Sequence, residues 1–328
     1  MVNGSRVNQE HNAGHAQRQV TMASGKKFSR DLLWPWFWGP WLLVMVFWAC
    51  SLLPWRFQMM LGKWAGNLYR RFGVRARHVT SVNLALCFRD RSSEERKQLL
   101  TRAFISAGAG IFEANCGWWV PDHGLPACAI TGIEHLQKAL EQKNGVILCS
   151  AHFLTWELVG RHLNRYYPVD VVYLPQKHPL LDWISTKRRG RYYRNMIRSD
   201  DFRQMVQSLK ENRLLWYTAD IDPGRRRKGV FVPFFGVPAY STTALARLAR
   251  LSRACVIPAF PFRRDDGSGY DLTISPPLEG FPSNDVIQDT KRVNEVIEHA
   301  VKQCPEQYLW QYKRFKTRPS GEMRVYGK

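Results

Sequence analysis

The sequence predicts an α/β fold: a mainly parallel central sheet flanked by helices, preceded by an N-terminal membrane-anchoring helix. Three observations carry that prediction. From residue 78 onward, short apolar runs alternate with stretches of helical period, the pattern of a parallel sheet covered on both faces. Residues 32–54, LLWPWFWGPWLLVMVFWACSLLP, hold no charge and number about 23, enough for one bilayer span. The chain's 328 residues, 45% of them apolar, can bury a sizeable core.

Taken in order, residues 1–30 are rich in Asn, Gln, Gly, His and Arg and read as a disordered tail, with His11 and His15 inert. Residues 31–54 are the expected anchor, with five tryptophans between Trp34 and Trp48 suited to a membrane interface. Pro35, Gly39 and Pro40 weaken the first third as a regular helix, so a re-entrant or interfacial segment is the alternative to a single span. Residues 55–77 place Phe57, Leu61, Trp64, Leu68 and Phe72 at helical spacing among Arg56, Lys63, Arg70 and Arg71. Such a basic amphipathic helix suits a headgroup layer, and equally a helix packed on the domain. Residues 78–328 form the α/β domain. Helices are expected at 93–111 (capped by Ser92 or Ser93), 133–142, 153–166, 202–211, 242–252 and 288–303. Strands are expected at 145–150, 169–174, 214–219, 255–260 and 270–275.

Net charge is +21, so the partners are anionic: nucleic acid, an anionic bilayer, a phosphorylated substrate or an acidic carrier protein. The seven cysteines are scattered and contain no CxxC pair, which argues against a disulfide framework and a structural zinc site. A reducing compartment is the natural reading. His78, His123, His135, His162, His178 and His299 show no metal-ligand spacing.

Three stretches carry chemistry. In Ala151-His-Phe-Leu-Thr-Trp-Glu157, His152 follows an apolar strand, where open α/β sheets gather ligands. If Glu157 reaches back from the following helix, it orients the ring, and the other nitrogen becomes a general base toward a substrate hydroxyl. Nothing resembles a GxSxG elbow, and Cys149 inside the strand reads as inert core. In TADIDPGRRRKGVFVPFFGVPAYST, Asp220 and Asp222 could hold a divalent metal for a glycosyltransferase. The cations Arg225, Arg226, Arg227 and Lys228 suit clamping of phosphates, with VFVPFFG as an apolar wall. In STKRRGRYYRNMIR, cations interleave with Tyr192 and Tyr193, which fits nucleic acid, an acidic carrier or a phosphate site.

Four stretches together are similar to one family: Asn83-Leu84 with Cys87-Phe88, NGVILCSAHFLTWEL, VFVPFFGVPA and PEQYLWQYKRFKTRP. They resemble the lipid A late acyltransferases, the lauroyl- and myristoyl-transferring enzymes of lipopolysaccharide assembly in the lysophospholipid-acyltransferase-like superfamily. The resemblance runs over residues 32–319. The H-x4-E block alone is shared with glycerolipid acyltransferases, whereas the C-terminal and VPFFG blocks are much more specific. The resemblance implies transfer of a fatty acyl chain from acyl carrier protein to a hydroxyl of a phosphorylated, Kdo-bearing lipid A precursor. No metal, cofactor or covalent intermediate is implied, and thioester hydrolysis is the expected side activity. His152 is then the base and Glu157 its partner, while Arg198, Asp220 and residues 225–228 bind the acceptor. Lys187, Arg188, Arg189, Arg191 and Arg194 would dock the carrier, and nucleic acid is not a partner. The implied location is the bacterial inner membrane, single-pass or monotopic, with the catalytic domain toward the cytoplasm and membrane lipids as partners. Oxyanion donors are not legible, with Arg198 or backbone N–H groups near 153 as candidates. A metal-dependent glycosyltransferase built on Asp220 and Asp222, a glycerolipid or glycolipid acyltransferase, and a non-enzymatic binding module are the competing readings.

Overall fold

A computed structural model describes residues 28–327, so the expected disordered tail, with His11 and His15, lies almost wholly outside the described residues. Two 3-10 turns, Arg30–Leu33 and Pro35–Phe37, lead into helix α1 (Trp38–Cys50). There follow α2 (Trp55–Phe72), α3 (Val74–Cys87) and α4 (Ser93–Trp119), then β1 (Cys128–Thr131), α5 (Ile133–Glu141) and β2 (Val146–Ser150). Next come α6 (Trp156–Asn164), β3 (Val169–Tyr173), α7 (Pro179–Arg189), β4 (Asn195–Arg198), α8 (Phe202–Lys210) and β5 (Leu214–Thr218). The chain continues through β6 (Gly229–Phe234), β7 (Val237–Thr242), α9 (Ala244–Ser252), β8 (Cys255–Arg263), β9 (Tyr270–Ile274) and α10 (Val286–Gln303).

Seven strands form one sheet in the order β1-β9-β8-β2-β5-β3-β4. From β8 through β4 every neighbouring pair is parallel, and the chain reverses only between β8 and β9. The expected mainly parallel sheet is therefore present. Strand β2 lies at its centre with every residue buried, which its continuous apolar run requires.

The N-terminal segment departs from expectation. No helix among the described residues is long and apolar enough to cross a membrane. Helix α1 has 13 residues, about 20 Å at 1.5 Å per residue against a hydrocarbon core of about 30 Å. Pro35 breaks the start into 3-10 turns, and Ser51–Pro54 ends α1 before the apolar run is used up. The single span is thus replaced by two short turns and a half-length helix.

Helix α2 crosses α4 with almost no side chain between the backbones. A Cβ on Gly66 would stand 2.3 Å from the Phe104 carbonyl oxygen, and one on Gly108 2.1 Å from that of Gly62. Only glycine permits this approach. The glycine face of α2 turns inward, so its apolar stripe faces away from the domain. Phe57, Trp64 and Phe72 are exposed, as are Trp34, Trp36, Trp38 and Trp48 upstream. Helix α2 is therefore both packed on the domain and apolar on its outer side.

Strands β6 and β7 form an antiparallel hairpin rather than joining the main sheet. Phe235 and Gly236 make its two-residue turn, both at positive φ (50° and 70°). A phenylalanine tolerates that backbone because its ring packs against Phe88 and Trp310. Phe234 meets Tyr308 and Phe315, so the VFVPFFG stretch anchors the C-terminal segment in the core.

Candidate active site

Strands β2 and β5 are adjacent and parallel, with Ser150 opposite Thr218. His152 and Asp220 each stand two residues beyond that register pair, so the pairing of the strands brings them face to face. His152 Nδ1 lies 2.6 Å from Asp220 Oδ1, and the His152 backbone N–H donates to Oδ2 at 3.0 Å. The buried Tyr308 side chain beside the pair further favours the ionised carboxylate. With Nδ1–H donated to Asp220, Nε2 is the nitrogen left for a substrate.

The electrostatics of the pair follow from burial and charge in opposition. Burial by itself lowers the proton affinity of His152, but the charge and hydrogen bond of Asp220 outweigh it, and the imidazole pKa is raised. For Asp220, burial favours the neutral acid, yet His152 by charge and hydrogen bonds holds the carboxyl below its usual range. Cys149, inside β2, is pushed up to about 12 by burial, which suits an inert core thiol.

Glu157 does not orient the histidine. It sits in the first turn of α6, and its carboxylate is taken by Arg189 at the end of α7. Arg189 Nε donates to both Glu157 oxygens, at 3.0 and 2.9 Å, and Nη2 adds a further bond. The Arg189 guanidinium also lies 4.9 Å from the Trp156 ring centre. Coupling to the carboxylate outweighs desolvation and raises the guanidinium pKa. Among the described residues, Nη1 is engaged by no protein acceptor. His152, Glu157 and Arg189 all line one cavity of about 460 Å³, with Tyr69, Ile111 and Leu154 among its walls. Arg189, expected as a surface docking cation, is thus a residue of this cavity.

The other expected site residues divide. Asp220 is buried against the histidine, so it is not an acceptor-binding group at the surface. Asp222 does not converge with it on a metal position. Its oxygens accept from the Thr317 N–H (2.8 Å), the Thr317 hydroxyl (2.9 Å) and the Gly224 N–H (2.8 Å). Arg198 ends β4, two strands beyond β5 and so roughly 10 Å to the side. It is exposed, pairs with Asp200 at 3.0 and 2.8 Å, and does not line the His152 cavity. Lys187, Arg191 and Arg194 are exposed, while Arg188 is half-buried with its guanidinium 3.4 Å from the Trp119 ring centre. The proposed oxyanion amides near 153 are occupied: Phe153 N–H donates to Ala151 and Leu154 N–H to Gln307.

Arg225, Arg226, Arg227 and Lys228 line a separate cavity of about 480 Å³. Arg225 is shared with a cavity that contains Lys316, Lys316 with one that contains Tyr69 and Gln311, and those two residues with the His152 cavity.

The C-terminal segment clamps the turn that carries His152. Leu309 N–H donates to the His152 carbonyl, Phe153 bridges Tyr308, and Gln307 bonds both Leu154 and Arg263. Asn83 on α3 donates to the carbonyls of Trp310 and Tyr312, both at 2.8 Å. The Asn83 and PEQYLWQYKRF stretches are therefore parts of one contact.

Residues 25–317 match a family described as bacterial lipid A biosynthesis acyltransferase. The chain is 38% identical to a lipid A biosynthesis lauroyltransferase of Escherichia coli (strain K12), over 92% of this chain and 98% of the relative. It is 36% identical, with the same coverage, to a lipid A biosynthesis palmitoleoyltransferase of that strain. A lipid A biosynthesis acyltransferase of Haemophilus influenzae is 34% identical over 89% of this chain and 95% of its own length.

Proposed function

The chain belongs to the bacterial lipid A biosynthesis acyltransferases, and from that premise we propose that it moves a fatty acyl chain from acyl carrier protein to a hydroxyl of a phosphorylated, Kdo-bearing lipid A precursor. The observation that carries the mechanism is the 2.6 Å contact between His152 Nδ1 and Asp220 beside the Arg189-lined cavity. The acceptor hydroxyl gives its proton to His152 Nε2 as its oxygen attacks the thioester carbonyl carbon. Asp220 keeps the tautomer and stabilises the imidazolium. The free Nη1 of Arg189, fixed by Glu157, supports the carbonyl oxygen as it gains negative charge. The tetrahedral species collapses, the thiolate leaves, and the proton held by His152 passes to it. Water in place of the alcohol gives thioester hydrolysis.

The exposed tryptophans of α1, the outward stripe of α2 and the neighbouring Arg56, Lys63, Arg70 and Arg71 fit a monotopic seat on the cytoplasmic side of an inner membrane. Lys187, Arg188, Arg191 and Arg194 remain the surface proposed for an acidic carrier. The test incubates the purified protein with acyl carrier protein thioester and purified precursor and weighs the lipid product. Wild type is expected to add one acyl chain by mass, and His152→Ala to add none. Full transfer by His152→Ala would refute the mechanism.

A further inference from the structure

Helix α7, which ends in Arg189, draws its apolar support from outside the central core. It has 11 residues, a length at which a helix is marginal in water without tertiary packing. Its buried residues are Leu180, Asp182, Ile184 and Ser185, and the two apolar ones belong to neither of the two larger core clusters. Leu180 and Ile184 pack instead into a small separate cluster whose third buried member is Leu32, from the N-terminal 3-10 turn.

The N-terminal segment supplies much of the remaining contact. Phe37, Trp41 and Val44 pack on this cluster, and the Trp41 ring lies 6.2 Å from that of Trp183 on α7. Phe28 meets the same Trp183 ring at 5.1 Å, and Phe37 meets His178, the residue before α7, at 5.7 Å. The Trp41 indole N–H donates to the Leu32 carbonyl at 2.8 Å, which ties α1 to the turn before it. Helix α4 holds the far end of α1, where the Asn115 carboxamide donates to the Phe47 carbonyl at 2.7 Å.

The same cluster reaches the His152 cavity. Trp118 and Trp119, at the end of α4, pack against it. The Arg188 guanidinium lies over Trp119, and that of Arg189 lies 5.7 Å from the Trp118 ring centre. Arg189 in turn holds Glu157 and lines the cavity. Leu32 and Trp41 are thus linked to the arginine twice, through the body of α7 and through Trp118.

We propose that the N-terminal segment is a positioning element of the active site, in which Leu32 and Trp41, packed on α7, set the place of the Arg189 guanidinium in the His152 cavity. Neither residue lines that cavity, so both act through the arginine. This rests on the acyl-transfer reading above and adds residues on which the rate depends but substrate binding does not. In the proposed seat, the segment that meets the bilayer is then also the segment that orients the arginine.

The test uses the full chain in detergent micelles, so that partition onto a membrane does not limit the rate. Hydrogen exchange over residues 179–189 and the kinetics of transfer from acyl carrier protein thioester to lipid A precursor are measured for wild type, Trp41→Ala, Trp41→Phe and Arg189→Lys. Trp41→Ala should speed exchange in α7 about tenfold or more while leaving β2 unchanged. Its kcat should fall roughly tenfold, as expected when a group facing the reacting atoms shifts by a fraction of an ångström, with KM and the pH profile unmoved. Trp41→Phe, which keeps an aromatic ring against Trp183, should recover most of both. In the Arg189→Lys background, Trp41→Ala should add less than about twofold, because the fork it positions is gone. Unchanged exchange in α7, or losses from Trp41→Ala and Arg189→Lys that simply multiply, would overturn the proposal. Should Trp41→Ala unfold the domain, Leu32→Val takes its place in the same measurements with a smaller deletion. A wild type that transfers no acyl chain would refute the transfer reading, and the exchange rates would still decide whether the segment holds α7.

Discussion

The imidazole of His152 is held between a carboxylate that raises its proton affinity and a cavity where, in the proposed mechanism, it acts as the neutral base. Activity should therefore rise with pH through a value above the ordinary imidazole range of about 6.5. Asp220→Asn should lower kcat by about 10³- to 10⁴-fold, the scale on which losing a triad's orienting carboxylate acts. It should also move the acid limb of the kcat/KM profile to lower pH. Stability carries the same signature. Folded His152 binds its proton more tightly than the unfolded chain, so its contribution is complete below about 6.5 and fades as pH rises through the folded value. Asp220, held low, contributes above about 3.9 and loses that contribution as pH falls through its folded value. Unfolding midpoints across pH should show this dependence in wild type and lose it in Asp220→Asn. Glu157 belongs to a different pair. Glu157→Ala leaves a buried guanidinium uncompensated and should destabilise the protein by about 3–5 kcal/mol in denaturant titration. His152 was legible from its place after a buried strand, but its partner was sought nearby along the chain. The signal lay elsewhere: Ser150-Ala-His152 and Thr218-Ala-Asp220 end their strands with the same hydroxyl-alanine step. Register between β2 and β5, which single-strand periodicity does not encode, turns that likeness into a contact.

At the scale of elements, most of the α/β alternation was readable because burial imposes it on each strand. The capping box of Ser92 and Glu95, which starts α4, shows the same directness: Ser92 N–H donates to Glu95 at 2.6 Å and Glu95 N–H returns to Ser92 Oγ at 3.2 Å. Helix α6 is shorter than its periodicity suggested, because Phe153 is drawn into the cluster of Phe260, Phe262 and Tyr308. The anchor misled for a related reason. Counting uncharged residues measures length as if the run were one helix, and Pro35 with Ser51–Pro54 divides it. The α2–α4 crossing was invisible to hydropathy, since its contact face is glycine. Gly108→Val would place a side chain on the Gly62 carbonyl and should lower stability by more than about 4 kcal/mol, a loss reserved for steric or cavity defects of this kind. A thermal melt reads it directly, and a melting temperature within a degree of wild type would contradict the crossing.

Over the whole molecule, excess positive charge and outward tryptophans act together. In the proposed monotopic seat, the 48 Lys and Arg residues against 27 Asp and Glu would draw the protein to an anionic surface, and the exposed rings of α1 and α2 would hold it there. Replacing Trp36 and Trp64 by Ser should reduce partition onto anionic vesicles at least tenfold while leaving the melting temperature of the α/β domain unchanged. Vesicle flotation measures the first and calorimetry the second. Raised salt should weaken the wild type only in part, since apolar burial does not screen.

The claim on which the rest depends is that His152, poised by Asp220, takes the proton from the acceptor hydroxyl. Its most direct test is the pH dependence of single-turnover acyl transfer from acyl carrier protein thioester to lipid A precursor, in wild type and Asp220→Asn. The expected result is a wild-type rate that climbs through a pKa above about 6.5, and an Asp220→Asn rate lower by about 10³-fold or more with its climb moved to lower pH. An Asp220→Asn enzyme with the wild-type rate and the wild-type profile would contradict it.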